Sequence, residues 1–206
     1  MDFIEIGGVG LRYELSGKGD RTLLLVHEMG GTLESWDDIA PRFADSRRVL
    51  RYDTRGAGMS QKVRGELGID TMADDITALL DALGIAGKVA LAGIAVGGAI
   101  ALHFAARYPE RTSAVAVGSP ATAVAADRRA AALERVAKIE AAGMAFAVED
   151  AMLNGYARSF AVTSSALSDT GHDGSATIPR AMRPSGECWQ ASTCRANSPG
   201  FIVRCS

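Results

Sequence analysis

Three observations on this 206-residue sequence predict an α/β protein with a doubly wound, mostly parallel sheet. Short apolar runs recur at Thr22–Val26, Arg48–Tyr52, Lys88–Ala92 and Thr112–Val117, the pattern of strands covered on both faces. Segments with helical spacing of apolar residues separate most of these runs, as βαβ crossovers require. Glycine-containing loops follow three of the runs, at Gly30-Gly31, Gly56–Gly58 and Gly93–Gly98.

The elements follow in order. Phe3–Ile6 and Val9–Leu15 flank Gly7-Gly8 and read as a hairpin-like pair of strands. Thr22–Val26 is the first buried strand. Trp36, Ile39, Ala40 and Phe43 share one face of a helix predicted over about Glu34–Ala44. Arg48–Tyr52 is the next strand, and Asp53–Ser60 a glycine-rich loop. Asp70 or Thr71 caps a helix through Leu83 that presents Met72, Ile76, Leu79, Leu80 and Leu83, and Gly84 ends it. Lys88–Ala92 leads through a glycine-bracketed turn into a helix carrying His103, and Thr112–Val117 closes the series.

After Pro120 an alanine- and arginine-rich helix is expected over about Ala125–Ala142, with a second helical stretch from Ala145 to about Tyr156. This pair reads either as a lid over the carboxyl ends of the strands, where α/β folds bind ligands, or as a surface pair. The expected organisation is a core over residues 1–120, a lid segment over 121–160 and an atypical tail over 161–206. The tail is rich in serine, threonine and proline, lacks periodicity, and offers only Phe201-Ile202-Val203 as an apolar cluster. Some 45 structureless residues inside a compact domain are unexpected, so the tail reads as disordered, poorly patterned or shifted in reading frame. The late strands of the sheet are expected to be missing.

Composition excludes several function classes. With 48% apolar and 22% charged residues, the chain can bury a core. A net charge of −2 provides no basic field for nucleic acid or anionic lipid. Cys188, Cys194 and Cys205 are odd in number and lack C-x-x-C spacing, so neither a disulfide framework nor a metal site is expected. The start Met1–Ile6 lacks a signal-peptide pattern, giving a cytoplasmic expectation. Val89–Ala106 carries no charge over 18 residues, but three glycines and His103 mark it as strand plus helix rather than a membrane span.

The chemistry centres on Gly93-Ile94-Ala95-Val96-Gly97, which has the spacing of the G-x-S-x-G nucleophile elbow with alanine at the tip. Three other motifs accompany it: His27-Glu28-Met29-Gly30-Gly31, Asp53-x-Arg55-Gly56-x-Gly58-x-Ser60 and Ala105-x-Arg107-Tyr108-Pro109-Glu110-Arg111. Together they resemble the α/β-hydrolase superfamily over residues 1–160, within the branch of 3-oxoadipate enol-lactonases and haloperoxidase-like esterases. The resemblance implies an α/β-hydrolase fold, no cofactor, and a small ester or lactone as partner. It also places an oxyanion hole at the backbone amides of Met29 and Val96, and gives Gly93, Gly97 and Gly98 the task of forming the turn.

Two residues depart from that pattern. Ala95 occupies the nucleophile position and cannot attack a carbonyl, so weak or absent serine-hydrolase activity is expected. Glu28 stands where this branch usually has glycine; it reads as a solvent-facing loop residue or as an acid–base group in another reaction. His27 is expected to pack at the loop base, His103 to be a satisfied helical histidine, and His172 in the tail to be incidental. The alternatives are a small-molecule binding protein, or a lyase-like enzyme using Glu28 with the oxyanion hole. Ala95 itself reads as an engineered change, a natural non-covalent member or a degenerate hydrolase. Missing late strands would leave an unpaired sheet edge, giving an expectation of homo-oligomerisation.

Overall fold

The computed structural model describes residues 2–143, residues 146 and 147, and two short strands at 194–197 and 202–205. A six-stranded mixed sheet organises the chain in the order β1-β2-β4-β3-β6-β7. Its members are β1 (Asp2–Ile6), β2 (Val9–Gly17), β3 (Thr22–Val26), β4 (Arg48–Tyr52), β6 (Val89–Ile94) and β7 (Thr112–Gly118). The hairpin β1–β2 and the β2–β4 pair are antiparallel, whereas β4, β3, β6 and β7 run parallel. Three of the runs read from sequence, β4, β3 and β6, are central strands, and every residue of β3 is buried. Thr112–Val117, expected to be covered on both faces, is instead the outermost strand of the six and largely exposed, because no described strand pairs beyond it.

Helix α1 (Ile69–Ala82) and helix α2 (Val96–Arg107) pack on one face of the sheet. Leu79, Leu80, Ile100 and Phe104 meet Leu24, Leu50, Tyr52 and Leu91 there. Each such aliphatic side chain contributes about 1.5–3 kcal/mol by burial. The opposite face packs Leu23, Leu25 and Val49 against Trp36 and Ala40. Gly84 ends α1 as expected, with its N–H on Asp81 C=O at 3.0 Å and the Ile85 N–H on Leu80 C=O at 2.8 Å, a Schellman closure.

Several boundaries differ from the sequence reading. The helix expected over Glu34–Ala44 is instead two 3₁₀ turns, Leu33–Trp36 and Ala40–Arg42, with Pro41 at the start of the second. Proline lacks the N–H that a continuous helix needs at that point, so the segment breaks while Trp36 and Ala40 still reach the core. Helix α1 is capped by Gly68 rather than Asp70 or Thr71, and Asp70 lies in its first turn. The uncharged stretch beginning at Val89 divides between β6 and α2; among the described residues, no helix is long and apolar enough to cross a membrane.

The sequence reading missed β5 (Gly65–Gly68), which joins β8 (Cys194–Asn197) and β9 (Ile202–Cys205) in a separate antiparallel sheet ordered β5-β9-β8. Cys194, Cys205 and the Ile202-Val203 cluster thus belong to a small second sheet, not to the main one. Helix α3 (Arg129–Ala142) forms close to where sequence places it and buries none of its residues. Most of the second lid helix, Cys188 and His172 lie outside the described residues.

Candidate functional site

The carboxyl ends of the parallel strands converge on one edge of the sheet, and the elbow motif lies there. Val26, Tyr52 and Gly93 occupy one row across β3, β4 and β6. Ala95 then turns the chain between β6 and α2 with φ 51° and ψ −116°. This is left-handed backbone that a residue with a Cβ seldom adopts. The turn is held from the neighbouring strand: the Ala95 N–H donates to Gly118 C=O at 3.0 Å, and the Ala95 carbonyl accepts from Ala121 N–H at 2.9 Å.

Close approach explains the flanking glycines. A Cβ on Gly97 would stand 2.3 Å from the Val26 carbonyl oxygen and 2.4 Å from that of His27, all backbone atoms. A Cβ on Gly93 would stand 2.3 Å from the Gly97 carbonyl oxygen. The first turn of α2 is thereby pressed against the end of β3, with its N-terminal amides free of intrahelical partners. Ala95 offers no side-chain oxygen to cap them.

The loop after β3 is fixed from beneath. His27 is buried; its Nε2 accepts the Thr54 N–H at 3.0 Å, so its Nδ1 carries the proton and donates to Glu28 C=O at 2.7 Å. Burial lowers the His27 pKa, keeping the ring neutral despite the opposing pull of the Glu28 carbonyl and nearby carboxylates. The expectation that His27 packs at the loop base matches this arrangement. Glu28 accepts a hydrogen bond from Ser35 Oγ at 3.0 Å, and a Cβ on Gly31 would meet its carboxylate at 2.6 Å. It is a half-buried loop residue tied to its own loop, rather than the solvent-facing one expected. Met29, beside it, is 60% exposed.

A network that the sequence did not announce anchors both loops. Asp53 is fully buried and accepts the Leu33 and Met59 N–H groups, each at 2.8 Å, and Arg12 Nη1 at 3.2 Å. Arg12 also pairs with Glu34, whose carboxylate takes Thr32 Oγ1 at 2.5 Å. Burial acts to raise the Glu34 pKa, but the Arg12 and Thr32 hydrogen bonds outweigh it and hold the group below its ordinary value. Gly58 belongs to the same design, because a Cβ there would stand 2.1 Å from Asp53 Oδ2. Arg55 forms a two-pronged ion pair with Asp75 of α1, Nε to Oδ2 at 2.8 Å. The D-x-R-G-x-G-x-S motif is thus a structural clamp; its signal was present, but the Arg12 and Glu34 partners lie 41 and 19 residues away in sequence.

His103 lies on α2 and shares a hydrogen bond of 2.7 Å with Asp70 of α1, the satisfied helical histidine that was expected. Among the described residues, neither histidine is available to activate a nucleophile at the elbow by the contacts observed. No cluster among the described residues has the composition of a metal site. Exposed apolar side chains border this edge of the sheet: Met29 after β3, Met59 after β4, Ile94 at the end of β6 and Val117 at the end of β7.

A mixed sheet whose parallel strands end at a tight, left-handed strand–helix turn defines a class of proteins that bind ligands at that edge. Comparison with known proteins makes the assignment specific: the chain belongs to the alpha/beta hydrolase fold family, whose model matches residues 21–173. A 3-oxoadipate enol-lactonase of Acinetobacter baylyi is 34% identical over 60% of this chain and 46% of its own length. The dihydrolipoyllysine-residue acetyltransferase component of the acetoin cleaving system of Pseudomonas putida is 40% identical over 55% of this chain and 30% of its own. The chain spans less than half the length of these curated relatives. Among solved structures, a thermophilic esterase from Thermogutta terrifontis aligns with TM-score 0.68 and 27% identity, covering 74% of this chain and 58% of the esterase. The enol-lactonase of Burkholderia xenovorans shares the fold, with TM-score 0.72 and 24% identity over 82% of this chain and 65% of its own.

Proposed function

We propose that this protein holds a small carbonyl compound, an ester or lactone, at the carboxyl edge of its parallel strands, and performs little or no serine-type hydrolysis there. The observation that carries the reading is Ala95: a tight, positive-φ turn joins β6 to α2, and the side chain at its tip is a methyl group. Met29 and Val96 supply the backbone amides of an oxyanion hole, with Gly93, Gly97 and Gly98 permitting the close packing that aims the second of them. Such a hole binds a carbonyl oxygen without covalent attack, and retains only the residual rate that binding and polarisation provide. The exposed apolar rim of Met29, Met59, Ile94 and Val117 suits an apolar ligand with one polar group.

Names of relatives agree with an acyl carbonyl as the common chemical theme: an enol-lactonase, an esterase and a putative carbamate hydrolase of Azorhizobium caulinodans, 33% identical over 57% of this chain. The lyase-like alternative, with Glu28 as acid or base, is less favoured because Ser35 already engages that carboxylate.

Calorimetric titration with δ-valerolactone and ethyl butyrate, paired with p-nitrophenyl acetate kinetics, tests the proposal. Saturable binding without an acyl-enzyme burst is the expected result. A burst, or the absence of binding to either compound, overturns it.

A further inference from the structure

Two non-glycine residues with positive φ occur among the described residues, Ala95 at 51° and Ser119 at 45°. They stand at the tips of adjacent parallel strands, β6 and β7, and their segments clasp each other. Ala95 N–H donates to Gly118 C=O on one side of Ser119, and Ala121 N–H donates to Ala95 C=O on the other. Ser119 also precedes Pro120, and a residue before proline is normally driven to extended backbone. Its conformation is therefore disfavoured twice. Serine gains little in the left-handed region, unlike glycine or asparagine, so neither its side chain nor its successor explains the choice.

Strain of this kind persists where surrounding structure enforces it, and it clusters at ligand sites. Ser119 is exposed, and its hydroxyl has no hydrogen-bond partner among the described residues. Those two backbone hydrogen bonds, at 3.0 and 2.9 Å, hold the segment around Ser119 directly beside the turn at Ala95. Val117, on the same strand end, belongs to the apolar rim.

We propose that Ser119 is a ligand-binding residue: its Oγ–H donates a hydrogen bond to the oxygen of the bound ester or lactone, beside the backbone amides at the elbow. The inference rests on the carbonyl-binding reading above. No bond is made or broken in this step; a hydroxyl that faces water in the empty protein exchanges that contact for the ligand oxygen. Its free energy is that of one net hydrogen bond, which corresponds to about 3- to 10-fold in Kd.

Calorimetry with δ-valerolactone and with tetrahydropyran, the same ring without the carbonyl, separates this task from general packing. The full chain is expected to prefer the lactone; Ser119→Ala loses about 3- to 10-fold of that preference and leaves tetrahydropyran binding unchanged. Ser119→Gly relieves the backbone, raising Tm by about 2–4 °C, yet loses the lactone preference as alanine does. That opposition of stability and binding shows that the strain serves the ligand. A Ser119→Ala protein that retains the wild-type lactone preference overturns this inference alone. A wild-type protein that binds neither ring overturns the carbonyl-binding reading and this inference with it.

Discussion

The two sides of the strand edge are built in opposite ways. On the β2–β4 side, charged groups carry the structure: buried Arg12 and Asp53 join partly exposed Glu34 and three loop groups, and buried Arg51 is shared by the partly exposed Glu14 and Asp37. On the β6–β7 side, small residues and backbone contacts carry it, with two left-handed non-glycine residues and exposed apolar side chains. The charged side fixes the loops after β3 and β4, and the strained side presents the turn. Side-chain chemistry is thus concentrated in the charged clamp, and the strand–helix turn at Ala95 carries only a methyl group.

The largest effect should come from the charged side. Asp53→Ala removes the acceptor of two loop amides and leaves Arg12 a buried cation with one partner fewer; about 3–5 kcal/mol of unfolding free energy should be lost, measured by urea denaturation. If instead the loss is below 1 kcal/mol, the network is ornamental, and the contrast between the two sides fails. On the strained side, Gly97→Ala should cost about 1–3 kcal/mol or more in the same measurement, because the nearest atoms its Cβ meets are all backbone. Ala95→Gly should move stability the other way, by about 1 kcal/mol, since it removes the left-handed penalty at the elbow.

A pH effect sharpens the comparison at smaller amplitude. The His27 pKa is depressed in the folded protein by burial, so the unfolded chain binds more protons below about pH 6.5, the ordinary histidine value. Stability should therefore be complete above that pH and fall as the pH drops through it, with a slope of at most about 1.4 kcal/mol per pH unit for one proton. His27→Asn should flatten the curve between pH 6.5 and 5 in chemical denaturation. The depressed Glu34 pKa adds a further loss below its ordinary value of 4.5, which Glu34→Gln should remove.

The fold was legible because its signals are local. Thr22–Val26 reads as a continuous apolar run and is buried along its whole length, and Arg48–Tyr52 keeps Val49 and Leu50 buried between its two arginines. The 3₁₀ turns at 33–42 were hidden because Trp36, Ile39, Ala40 and Phe43 keep helical spacing while Pro41 breaks the backbone. The charged clamp was illegible for a different reason: Arg12 occupies an alternating position in a hairpin strand, and nothing local reveals that it meets Asp53 and Glu34. Ser119 gave no sign either, since backbone strain has no signature in residue type when the residue is not glycine.

A fluorophosphonate probe followed by intact-mass and peptide analysis tests most directly whether the elbow is present without its nucleophile. The wild-type chain should carry no adduct after incubation that fully labels a competent serine hydrolase run alongside. Stoichiometric labelling of the wild-type chain, at Ser119 or any other residue of this edge, would contradict the reading and restore covalent catalysis to the site.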